Sequence, residues 1–87
     1  MIDNDDKHRF EAEENGKLVF ANYREHDGRF LITHVEADPV LRGTGAAARL
    51  MQAIVAHARE YDLKLLPRCS YAVAWFQRHP EDGDVVG

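Results

Sequence analysis

Cysteine occurs once in this sequence, tryptophan once and proline three times, and no apolar run approaches the ~18 residues of a membrane span. A single cysteine, Cys69, excludes an internal disulfide. No His/Cys/Asp cluster has metal-site spacing either, so the chain reads as a metal-free protein of a reducing compartment. The start Met1-Ile2-Asp3-Asn4-Asp5-Asp6 lacks the basic and apolar stretches of a secretory signal. A soluble, cytoplasmic domain is the expectation. Its 87 residues allow one domain, since domains typically run to about 100–150 residues, and the hydrophobic share of 45% is that of a folded chain.

Acidic residues are scarce in the middle of the chain, although the protein as a whole carries a net charge of -4. Residues 1–38 hold ten carboxylates against five Lys/Arg; residues 39–78 hold only Glu60 and Asp62 against six; the last nine residues add three acids. A basic centre in an acidic protein argues against nucleic acid as a partner, because such binders usually present an overall basic face. It suits a compact anionic ligand held locally.

Alternation dominates the first third. His8–Glu13 reads as a strand, Asn15-Gly16 as a hairpin turn, Leu18–Tyr23 as a second strand, Asp27-Gly28 as another turn and Arg29–Val35 as a third, more buried strand. From Gly45 to Tyr61 the period becomes helical, with Ala47, Leu50, Met51, Ile54, Ala58 and Tyr61 on one face. Leu63–Leu66 follows as a short strand. The order strand, helix, strand implies a right-handed parallel crossover that sets it beside the third strand. Cys69 to Arg78 reads as a second helix, stopped by Pro80. Residues 1–7 are expected to be a disordered acidic tail on a single α/β domain spanning 8–87.

Between the third strand and the first helix lies Arg42-Gly43-Thr44-Gly45-Ala46-Ala47. A turn that feeds a helix leaves the first helical N–H groups unpaired, and the helix dipole adds positive potential at the same point. Gly43 and Gly45 admit an oxyanion close to the backbone, Thr44 offers a hydroxyl and Arg42 a charge. The plainer alternative is a tight turn whose small residues only let helix and sheet pack. A P-loop is excluded, because no Lys-Ser/Thr follows Gly45. A dinucleotide fingerprint is fitted only loosely: no acid ends the next strand, and the chain is too short for that fold. What remains is Arg-x-x-Gly-x-Ala over Arg42, Gly45 and Ala47.

With these elements in this order, the sequence resembles the GNAT superfamily of N-acetyltransferases, whose pyrophosphate motif is Gln/Arg-x-x-Gly-x-Gly/Ala between a strand and a long helix. Leu66-Pro67-Arg68-Cys69-Ser70-Tyr71 and Arg78-His79-Pro80-Glu81 look like the Pro-x-Cys-Ser and His-Pro-Glu signatures of a compact GNAT-like subfamily, the YjdJ type. The resemblance covers roughly His8 to Asp84. It implies a small GNAT-like α/β fold that takes acetyl-CoA and passes the acetyl group to a small-molecule or peptide amine. By the same resemblance, Arg42 and the amides of Gly43, Thr44, Gly45, Ala46 and Ala47 hold the coenzyme A pyrophosphate. Backbone groups near Glu36 and Ala37 pair with the pantetheine arm, and the thioester ends near Cys69 and Ser70. Phe76 stands where many of these enzymes carry a tyrosine that protonates the leaving thiolate. A coenzyme A-binding module with little or no activity is the alternative.

Two residues are catalytic candidates. Cys69, at a helix start beside Arg68, sits where thiolate is favoured. It reads as a nucleophile or an assisting thiol, or else as a small packing residue. His34, with Glu36 two residues on and on the same face, reads as a base for the amine, or else as a histidine paired within the sheet. His79 reads as a helix C-terminal cap. Trp75, Phe76 and Tyr71 read as core, and His8, His26 and His57 as surface. Only the cofactor half of a usual GNAT domain fits in so short a chain, so an open acceptor side is expected.

Overall fold

The computed structural model describes the chain from Met1 to Gly87. Strands β1 (Ile2–Asn4), β2 (Arg9–Glu14), β3 (Lys17–His26) and β4 (Arg29–Ala37) form an antiparallel meander, and β5 (Lys64–Pro67) adds to β4 in parallel, giving the order 1-2-3-4-5. Asn15-Gly16 and Asp27-Gly28 make the two long hairpins with both residues of each pair at positive φ, the conformation that two-residue turns need to match strand twist. Helix α1 (Ala46–Glu60) joins β4 to β5, and α2 (Ser70–Arg78) follows β5. Each begins one residue later than its sequence pattern suggested, because Gly45 and Cys69 are the capping residues. A 3-10 segment, Pro80–Val85, closes the chain and returns Val86 beside Leu65.

The expected disordered tail is instead part of the sheet. Ile2, Asp3 and Asn4 pair with Glu11, Phe10 and Arg9, and the Tyr23 hydroxyl donates to Asp3 Oδ1 at 2.5 Å across the intervening strand. Asn4 then caps a 3-10 turn by accepting the Lys7 amide. A three-residue strand among four acids and amides carries no periodic signal, and what anchors it lies twenty residues away.

One core cluster unites sheet and helices. Phe10, Val19, Ala21, Tyr23 and Ile32 from the sheet meet Leu50, Met51, Ile54, Val55 and Ala58 of α1 and Ala72 and Trp75 of α2, with no polar or charged residue buried among them. Each such aliphatic side chain contributes about 1.5–3 kcal/mol on burial, enough to hold a helix that short-range propensity alone would leave marginal.

A bulge in β4 prepares the site. Asn22 pairs with His34 but Tyr23 pairs with Ile32, so Thr33 is an extra residue. One added residue exchanges the two faces of a strand. Before it Phe30 and Ile32 face the core; after it Val35 and Ala37 do, leaving His34 and Glu36 on the opposite, helix-free face.

Candidate active site

The approach to α1 is shaped by its own short-range bonds. Asp38 Oδ1 accepts the Val40 amide at 3.0 Å, and Pro39 opens a 3-10 turn that ends at Leu41. The Leu41 carbonyl then accepts both the Thr44 amide, at 3.1 Å, and the Thr44 hydroxyl, at 2.5 Å. Both Thr44 donors are thus used inside the turn, so Thr44 shapes it rather than offering the free hydroxyl expected. Gly43 and Gly45 lie at φ 78° and 86°, a region that favours glycine, and Gly45 caps α1 with no side chain to satisfy the first helical amides.

A groove of about 250 Å³ opens over this turn. Arg42, Gly43, Gly45, Ala46 and Ala47 line it with Ala37, so six of the residues expected to hold a cofactor meet in one place. Thr44, Glu36, Ser70, Cys69 and His34 do not line it. Tyr71, expected in the core, does line it from α2; its hydroxyl makes no hydrogen bond, and burial pushes its pKa above the ordinary tyrosine value. No short-range signal marks it for the groove, because its neighbours there come from α1 and β4. Helical spacing alone pointed to packing.

From the groove an unpaired strand edge runs toward Cys69. β5 pairs with β4 only from Arg29 to Ile32 and ends at Pro67, after which the Arg68 and Cys69 amides both donate to the Ile32 carbonyl, at 2.9 and 3.2 Å. Beyond that point residues 33–37 of β4 have β3 on one side and no strand on the other. The Asp38 amide donates to the Leu18 carbonyl on β3, so alternation turns the backbone groups of Glu36 toward β3 and those of Val35 and Ala37 toward the open side. The open edge therefore belongs to Val35 and Ala37, where Glu36 and Ala37 were expected.

Cys69 is half-buried and caps α2 through sulfur: Sγ accepts the Ala72 amide at 3.4 Å. His34 and Glu36 are brought together as expected, with Nε2 and Oε1 3.2 Å apart and both side chains about half exposed. They stand on the helix-free face of the same unpaired length of β4. His79 is the C-cap of α2 through its backbone amide, which donates to the Phe76 carbonyl; its imidazole stacks on Trp75 at 4.0 Å and pairs with Glu81 at 3.1 Å. His79, Glu81 and Asp82 bring their ligand atoms within 4.8 Å of one another, but Asp82 is already bound by Arg59 at 2.8 Å. No helix is long and apolar enough to cross a membrane.

Comparison with known proteins bears on the fold and the family. The solution structure of a GCN5-like N-acetyltransferase candidate from Staphylococcus aureus superposes with a TM-score of 0.63 at 24% identity, over 92% of this chain and 89% of that one. Its likeness establishes the fold. A family model for GCN5-related N-acetyltransferases matches residues 9–85, nearly the whole sequence and all the elements that build the groove. The chain belongs to the GCN5-related N-acetyltransferase family.

Proposed function

We propose that the protein binds acetyl-CoA along the groove and the open β4 edge and transfers the acetyl group to an amine. The observation that carries this reading is the continuity of the two features. Unsatisfied helix amides suited to a pyrophosphate lie at one end, unpaired strand backbone suited to the amides of a pantetheine arm runs between, and Cys69 stands at the other end.

In the reaction the amine nitrogen attacks the thioester carbonyl carbon, the C–S bond breaks, the amine gives up a proton and the departing thiolate of coenzyme A gains one. His34, oriented by Glu36, accepts the amine proton from the helix-free face, where the acceptor has open access. Cys69 returns a proton to the thiolate. Its sulfur is held at the start of α2 by the Ala72 amide, which fixes where the donor stands. Positioning of the thioester by backbone supplies most of the acceleration. The reading is tested by titrating acetyl-CoA calorimetrically into the wild type and Gly45→Glu, then measuring turnover over an amine panel. Binding by the wild type, lost in a folded Gly45→Glu, supports the site. Binding without turnover of any amine would leave a coenzyme A-binding module in its place.

A further inference from the structure

Arg49 lies in the first turn of α1, the helix end where a cation is disfavoured because the macrodipole already places positive potential there. That turn holds no acidic residue to offset it. The compensation comes from another element. Glu14, the last residue of β2, receives a bidentate fork from Arg49, with Nε to Oε2 at 2.9 Å and Nη2 to Oε1 at 2.7 Å. The remaining nitrogen, Nη1, donates to the Thr44 carbonyl at 3.0 Å.

This last bond bears on the groove directly. The Thr44–Gly45 peptide is trans, so fixing its carbonyl toward Arg49 fixes the Gly45 N–H in the opposite direction. That N–H makes no hydrogen bond within the protein, and Gly45 lines the groove. A Cβ at position 45 would fall 3.0 Å from Arg49 Nη1, so glycine there also keeps the guanidinium in place. The Glu14 carboxyl is held below its ordinary range mainly by its hydrogen bond to Arg49, and the fork therefore persists at neutral pH. As a surface ion pair it adds little to stability. Its consequence lies in the turn.

We infer that Glu14 and Arg49 are a positioning pair that presets the Thr44–Gly45 peptide, so that the turn amides meet a phosphate of the acyl donor already aligned. This rests on the acetyl-CoA reading above. It is tested on the full chain with Arg49→Gln, Arg49→Lys, Glu14→Gln and the double variant Glu14→Gln/Arg49→Gln. The probes are acetyl-CoA and S-acetyl-pantetheine, which carries the thioester without phosphates. Arg49→Gln and Glu14→Gln are each expected to raise the Kd and KM for acetyl-CoA about five- to tenfold, the size of one lost charge-assisted hydrogen bond. The double variant should be no worse than either single one, since the two residues act as a unit. Saturated kcat, the melting temperature and all constants for S-acetyl-pantetheine should stay unchanged, and Arg49→Lys should restore part of the affinity. Unchanged acetyl-CoA affinity in the variants overturns the inference. Tighter binding by Glu14→Gln overturns it as well, because Arg49 would then be a direct ligand that Glu14 competes for. Equal losses for both thioesters with a lower melting temperature would mark general fold damage and overturn it too. Absence of acetyl-CoA binding by the wild type defeats the functional reading itself and is read separately, before any variant.

Discussion

The sulfur of Cys69 accepts the amide of Ala72 at 3.4 Å, while the amide of Cys69 itself donates to the carbonyl of Ile32. One residue thus starts α2 and marks the point where β4 and β5 part. Its capping and its chemistry can be separated by substitution.

Cys69→Ser keeps a capping atom and Cys69→Ala removes it. Serine should leave stability unchanged or slightly raised, whereas alanine should cost about 0.5–1 kcal/mol, the lower range for a lost N-cap. Both should lower kcat about 10–100-fold, the usual scale of a missing proton donor, with acetyl-CoA affinity unchanged. Urea unfolding and steady-state kinetics read the two effects. Intact-mass analysis after incubation with acetyl-CoA should show no acetyl adduct; an adduct on Cys69 would replace the thiol-acid role with a covalent route.

His34→Gln tests the other end of the proton path. The side chain is exposed and outside the core, so the melting temperature should not move, and acetyl-CoA should bind as before. Turnover with the preferred amine should fall about 100-fold, and Glu36→Gln should have a smaller effect because it only orients the imidazole. Full activity in His34→Gln would assign the amine proton to solvent.

Gly43→Ala and Gly45→Ala form an internal comparison. Both place a side chain at positive φ, which costs roughly 1–2 kcal/mol. A Cβ at 43 has nothing within 4 Å, whereas one at 45 meets Arg49 Nη1 at 3.0 Å. Stability should therefore fall by similar amounts in the two variants, while acetyl-CoA affinity falls further in Gly45→Ala. Calorimetric binding alongside urea denaturation gives both numbers, and equal affinities would mean that the guanidinium adjusts without consequence for the turn.

These residues also show where the sequence is legible and where it is not. Hairpins at Asn15-Gly16 and Asp27-Gly28, the helix from its Leu50, Met51 and Ile54 face, and the turn at Gly43–Ala47 all announce themselves by short-range chemistry, and the structure has each in place. The bulge at Thr33 does not. It decides which of Val35 and Glu36 offers backbone to the open edge, yet it arises from pairing with Asn22 and Tyr23 on another strand. The same holds for Arg49, whose partner Glu14 is 35 residues away, and for Tyr71, whose neighbours in the groove come from α1 and β4. Contacts between distant segments leave no period in either segment.

The bond from Tyr23 to Asp3 makes the last such contact measurable. Burial of the ring and then the hydrogen bond to Asp3 raise the Tyr23 pKa well above its ordinary value of 10.0. A phenol protonated more tightly in the folded than in the unfolded chain contributes stability that is full below pH 10 and is lost as the pH climbs toward the raised folded value. Tyr23→Phe removes both the bond and this dependence. At pH 7 the variant should be less stable by about 1 kcal/mol, the net worth of one partly exposed hydrogen bond, and amides of residues 2–4 should exchange faster as β1 loses its anchor. Above pH 10 the gap between wild type and variant should close, because only the wild type has the Tyr23 proton to lose. Urea midpoints at pH 7, 9 and 11 with hydrogen exchange at neutral pH provide the check, and a gap that stays constant or widens with pH would show that the hydroxyl does not hold β1 to the sheet.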